Sequence, residues 1–130
     1  MYKTKICLRL AYILLPLMLR WRKWKMVEPS KRDWKLYREK IGGWQEQYME
    51  KLVKEYADYL CSDLPASTKF WEIEKRIKRD RKTPGVCIEL RKSDMFWDIA
   101  GLIHDKVISM DDLEEFSDDL KEAVVLILRR

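Results

Sequence analysis

Residues 33–61 read DWKLYREKIGGWQEQYMEKLVKEYADYLC, and this stretch decides the fold. Within it Trp34, Tyr37, Ile41, Trp44, Tyr48, Leu52, Tyr56 and Tyr59 follow one another at steps of three or four residues. That is the period of one helical face, not the alternation of a strand. Lys35, Glu39, Glu46, Glu50, Lys54 and Asp58 fall on other faces, and Glu50 precedes Lys54 in the favourable i,i+4 order. Asp33 is placed to cap the start of the helix. Gly42-Gly43 interrupts the pattern at a cost of about 1 kcal/mol per glycine relative to alanine, which predicts a kink or a closely packed neighbour. An aromatic stripe of this kind builds a core far more often than it lines a ligand site, so the stretch predicts the spine of a helical domain.

The chain downstream follows the same period. Ser62-Asp63-Leu64-Pro65 ends the first helix, and a second begins between Pro65 and Thr68. Its apolar stripe is Phe70, Ile73 and Ile77, with Trp71 and Glu74 alongside. It closes on Lys75, Arg76, Lys78, Arg79, Arg81 and Lys82, six bases in eight residues, and cations at a helix C-terminus complement its dipole. Val86, Ile88 and Leu90 alternate like a strand, yet no second strand is legible to pair with them. Thr83-Pro84 makes a good helix start, so a helix from about Pro84 to His104 is expected, with Ser93 as its natural break. After a turn at Val107-Ile108, Ser109 and Asp112 form a capping box. Leu113, Phe116, Leu120, Val124 and Ile127 then predict one helix to the end.

The first 25 residues differ in chemistry from the rest. They hold seven bases and no acid, whereas residues 26–130 hold 20 bases and 22 acids, so the net charge of +5 resides in this arm. Its apolar run, Ile6 to Leu19, has the basic start and apolar centre of a secretory signal. It lacks a small-residue cleavage site, and Arg20, Trp21, Arg22, Lys23, Trp24 and Lys25 follow at once. Fourteen residues are too few for a membrane span, which needs roughly 20. The insertion gain of its Leu and Ile residues, about 0.3–0.6 kcal/mol each, is nearly cancelled by Arg9 at about 2.5–3.5 kcal/mol. Three readings stand: a membrane-surface helix with Arg20–Lys25 on anionic lipid, a buried helix of the domain, or upstream sequence preceding a native start at Met26. The expected organisation is thus an arm over residues 1–28 and a helical domain over residues 29–130, an all-α bundle of about four helices.

Chemistry-bearing motifs are few. Cys7, Cys61 and Cys87 form no CxxC and indicate neither a disulfide framework nor a zinc site, as expected of reduced thiols in a cytoplasmic protein. An EF-hand reading of residues 101–112 fails because Lys106 stands where glycine is required. A helix-turn-helix reading fails because Asp111, Asp112, Glu114, Glu115, Asp118 and Asp119 would meet phosphates. His104 ends a helix, where an imidazole is favourable without any function. No catalytic, cofactor or metal residue is assigned. The favoured function is a non-enzymatic interaction or regulatory protein that engages a protein partner or another copy of itself. Two alternatives remain: nucleic-acid binding through Lys75, Arg76, Lys78, Arg79, Arg81 and Lys82, and membrane-surface binding through residues 6–25. Residues 93–130 carry four bases and ten acids, which marks them as an internal counterpart for the basic run.

Overall fold

A computed structural model describes residues 28–130. They form four α-helices, α1 (Lys31–Leu60), α2 (Ala66–Asp80), α3 (Met95–His104) and α4 (Asp118–Leu128). Single 3-10 turns stand at Lys92–Asp94 and Met110–Leu113. No strand occurs among the described residues, and the domain is all-α.

Ser30, not Asp33, caps α1: its side chain accepts the Asp33 backbone N–H at 3.0 Å. The Asp33 carboxylate is thereby free for a long-range role. It accepts the backbone N–H of Ser117 at 3.1 Å and the Ser117 hydroxyl, which ties the first turn of α1 to the first turn of α4. The helix runs unbroken through Gly42-Gly43, and nothing lies within 4 Å of a side chain added at either glycine. The close neighbour expected there is absent, and nothing in the structure explains the pair.

Tyr37, Ile41 and Trp44 of α1 pack with Met95, Phe96, Ile99 and Leu102 of α3 and with Leu120, Ala123 and Val124 of α4. Ile108, Leu113 and Phe116 close the core from the connection between those helices. Trp44 is 8% exposed, with its ring 6.4 Å from Tyr37 and 6.2 Å from Phe116, both tilted pairs of the favourable kind.

Two expected helices are shorter than their periodicity suggested. Thr83-Pro84 does start a turn, with the Val86 and Cys87 N–H groups both donating to the Thr83 carbonyl, but the turn does not propagate. A Cβ on Gly85 would come within 2.8 Å of Val107 and closer still to the Tyr48 ring, so the backbone passes tightly over α1 here. Gln45 fixes the crossing by donating to the Pro84 carbonyl at 3.1 Å. The chain then runs without regular structure to Arg91, and α3 begins only at Met95, just beyond the break expected at Ser93.

At the other end, the Ser109–Asp112 box forms, with the Ser109 N–H donating to the Asp112 carboxylate at 2.8 Å. It holds one 3-10 turn and not a long helix. Ser117, in extended backbone, restarts the chain by accepting the Leu120 N–H at 3.3 Å and so caps α4.

Candidate interaction surface

The far half of α1 and the whole of α2 form an antiparallel hairpin outside this core. Three contacts set its register: the Tyr56 hydroxyl donates to the Asp80 carboxylate, the Arg76 guanidinium lies 4.1 Å from the centre of the Tyr59 ring, and Lys69 Nζ donates to the Leu60 carbonyl at 2.9 Å. Partners on α2 descend as positions on α1 ascend, so the helices run in opposite directions. Lys69, Arg76 and Asp80, with half-buried Ile73 between them, are one helical face. That face looks at α1. Burial, and then the hydrogen bond from Tyr56 to Asp80, push the Tyr56 phenol up to about 12, so it remains a donor across the ordinary pH range.

The apolar stripe of α2 is therefore split: Ile73 faces α1, while Phe70 and Ile77, with Trp71 alongside, are turned outward. Phe70 is 66% exposed and Trp71 63% exposed, their rings set edge to face at 5.1 Å, and Ile77 is exposed too. Asp80, 7% exposed, is the one buried residue of α2. On α1, Met49, Val53 and Leu60 are exposed, at spacings of four and seven. They form a second apolar stripe, offset from the aromatic one. In an antiparallel pair, equal angular offsets from the contact line fall on the same side. Met49, Val53 and Leu60 therefore share a side of the hairpin with Phe70 and Ile77.

The basic run divides by environment. Arg76 bonds Glu72 at 3.1 Å, Lys78 pairs with Glu74 at 2.8 Å and Arg79 with Asp80 at 3.1 Å. These counterparts lie on α2 itself and not in residues 93–130, contrary to the expectation from charge balance. The acidic segment is occupied elsewhere: Lys40 pairs with Glu115 at 2.6 Å and holds its carboxyl below the usual range. Lys75, Arg81 and Lys82 are exposed and make no ion pair among the described residues. Arg20, Trp21, Arg22, Lys23, Trp24 and Lys25 lie outside the described residues.

Other chemistry-bearing groups are scattered. His104 is exposed and, among the described residues, pairs only with its neighbour Asp105, 3.1 Å away. Cys61 and Cys87 are free and exposed, so neither is the buried thiol a core would hold. The groove beside Ile103, Val107 and Met110 is open to solvent. Among the described residues no three His, Cys, Asp or Glu side chains gather as a metal site, and no helix is long and apolar enough to cross a membrane. Tyr37 Oη and one Asp98 carboxylate oxygen are buried without a hydrogen-bond partner among the described residues. Burial, reinforced by Asp94, pushes Asp98 up to about 6. Burial, reinforced by Asp98, pushes the Tyr37 phenol well above its ordinary value.

No protein-family model matches the chain, and no curated protein or solved structure matches it. The geometry must speak for itself. Sequence reasoning found the basic run and the apolar stripe of Phe70, Ile73 and Ile77, with Trp71 alongside, but not the direction in which Phe70, Trp71 and Ile77 face. It passed over Met49, Val53 and Leu60. The available signal was a second stripe on α1, since one helix with two apolar faces has two things to cover.

Proposed function

We propose that the protein is a non-enzymatic helical interaction module that engages a protein partner through the outer face of the α1–α2 hairpin. The observation that carries this reading is the orientation of α2, which keeps Arg76, Asp80 and Lys69 against α1 and presents Phe70, Trp71 and Ile77 to solvent. Contiguous apolar surface rimmed by charge marks sites of association, because water is displaced from it when a complementary surface arrives. Aromatic residues supply much contact area at small entropic cost, and the rim charges select orientation.

A photoreactive phenylalanine analogue in place of Trp71, compared with one in place of His104, tests the reading in cells. Covalent adducts from position 71 and none from position 104 are expected. Equal yields from both positions would remove the hairpin face as the docking surface.

A second reading has its own observation. Lys75, Arg81 and Lys82, exposed and in no ion pair among the described residues, are close in sequence to Trp71, an arrangement suited to a phosphate backbone with a base stacked on the indole. Binding to a single-stranded oligonucleotide should then weaken steeply as salt rises. Absence of binding in dilute buffer contradicts it. The membrane-surface reading rests wholly on residues 6–25. Flotation with anionic liposomes tests it, and equal behaviour of the full chain and a version starting at Met26 would dismiss the arm as an anchor.

A further inference from the structure

We infer that the partner seated on the hairpin face is a second copy of this chain, related by a two-fold axis across the hairpins so that the two pack antiparallel as a four-helix layer. The inference rests on the reading of that face as the docking surface and names its occupant. Three observations favour self-association of this form.

The first is area. Met49, Val53, Leu60, Phe70, Trp71 and Ile77 leave on the order of 600–700 Å² of side-chain surface exposed, beyond the largest patch common on a monomer and close to what each partner of a stable complex contributes.

The second is the shape of the missing piece. A two-helix hairpin with one apolar side lacks another helical layer, and an identical hairpin supplies one of matching length. In a two-fold arrangement the same patch serves both partners. With the two α2 helices crossing near Glu74, Trp71 of one copy meets Ile77 of the other, and Lys78 comes over the opposing Phe70–Trp71 pair, where a cation is favoured at an aromatic face.

The third is charge. The turn at the tip of the hairpin carries exposed Asp63, and its foot carries exposed Arg81 and Lys82, none of them in an ion pair among the described residues. A parallel arrangement stacks Arg81 and Lys82 on their own copies. The antiparallel one sets the foot of each hairpin against the Asp63 turn of the other, twice per dimer.

Sedimentation of the full chain over about a hundredfold range of concentration tests the inference, because a reversible dimer dissociates on dilution. The wild type should move between monomer and dimer. Val53→Glu and Trp71→Glu, both at exposed positions, should each weaken the dimer at least about tenfold while circular dichroism stays unchanged. The pair Arg81→Glu and Lys82→Glu should weaken it as well, and adding Asp63→Lys to that pair should restore part of the loss. A chain that is monomeric throughout overturns the second copy as occupant; if position 71 still forms adducts with other proteins, the docking face stands with a different partner. A dimer that survives both Val53→Glu and Trp71→Glu overturns the face and the inference together. No recovery on adding Asp63→Lys overturns the antiparallel arrangement.

Discussion

Single residues carry a large share of this fold. Trp44 bridges Tyr37 of its own helix and Phe116 of the α3–α4 connection, and it is nearly fully enclosed. Trp44→Ala should cost about 3–5 kcal/mol in chemical denaturation, the transfer term plus a cavity that stiff helices cannot collapse. A loss well under 1 kcal/mol would mean that the indole faces water. Lys106 stands in left-handed backbone, with φ of 60°, just past the end of α3. The Lys106 N–H donates to the Ile103 carbonyl and the Val107 N–H to that of Leu102, the two bonds of a helix-ending turn that favours glycine at this position. Lys106→Gly should therefore stabilise by about 1 kcal/mol, seen as a higher denaturation midpoint with unchanged slope. Asp98 acts in the opposite sense. Its folded value of about 6 lies above the ordinary carboxylate range, so the native state holds a proton that the unfolded chain releases. Stability should rise as pH falls from above 6 toward 4, and the penalty of the ionised form is fully present at higher pH. Discounted for partial exposure, the effect is on the order of 1 kcal/mol. Asp98→Asn should be the more stable protein at pH 8 and should flatten this segment of the pH profile; an unchanged profile would show that Asp98 is ordinarily solvated.

At the scale of elements, α1 does two jobs along its 30 residues. Its first half is held on the core by aromatic packing, while its second half holds α2 by a phenol–carboxylate bond and a guanidinium on a ring. A helix secured by a few polar contacts opens more readily than one packed on all sides. Asp80→Asn weakens the anchor to Tyr56, so hydrogen exchange in residues 66–80 should accelerate several-fold while residues 95–102 keep their protection; equal acceleration in both would mean that α2 belongs to the core unit. The helical period made α1 and α2 legible as elements because each has an uninterrupted apolar spacing. It failed over residues 84–91, where the stop comes from the Tyr48 ring pressing on Gly85, a contact between residues far apart in the chain. It failed again at Ser117, whose use as a cap depends on Asp33 arriving from the other end of the sequence.

At the scale of the molecule, the described residues place a closed core at one end and an open apolar hairpin at the other. The all-helical class and the aromatic spine were readable because burial of Tyr37, Ile41 and Trp44 follows directly from their period. The site was only half readable. Periodicity says that Phe70 and Ile77 share a face, but it does not say whether that face turns toward α1 or toward water. The answer lies in Tyr56, Tyr59 and the Leu60 carbonyl, which attract Asp80, Arg76 and Lys69 to the contact and leave the apolar side outside. That orientation is the claim on which the functional account depends. Hydroxyl-radical footprinting of the dilute, monomeric chain tests it most directly, by reading side-chain exposure ring by ring. Phe70, Trp71 and Met49 should oxidise rapidly while Trp44, Phe116 and Met95 stay protected; protection of Phe70 and Trp71 equal to that of Trp44 would contradict it.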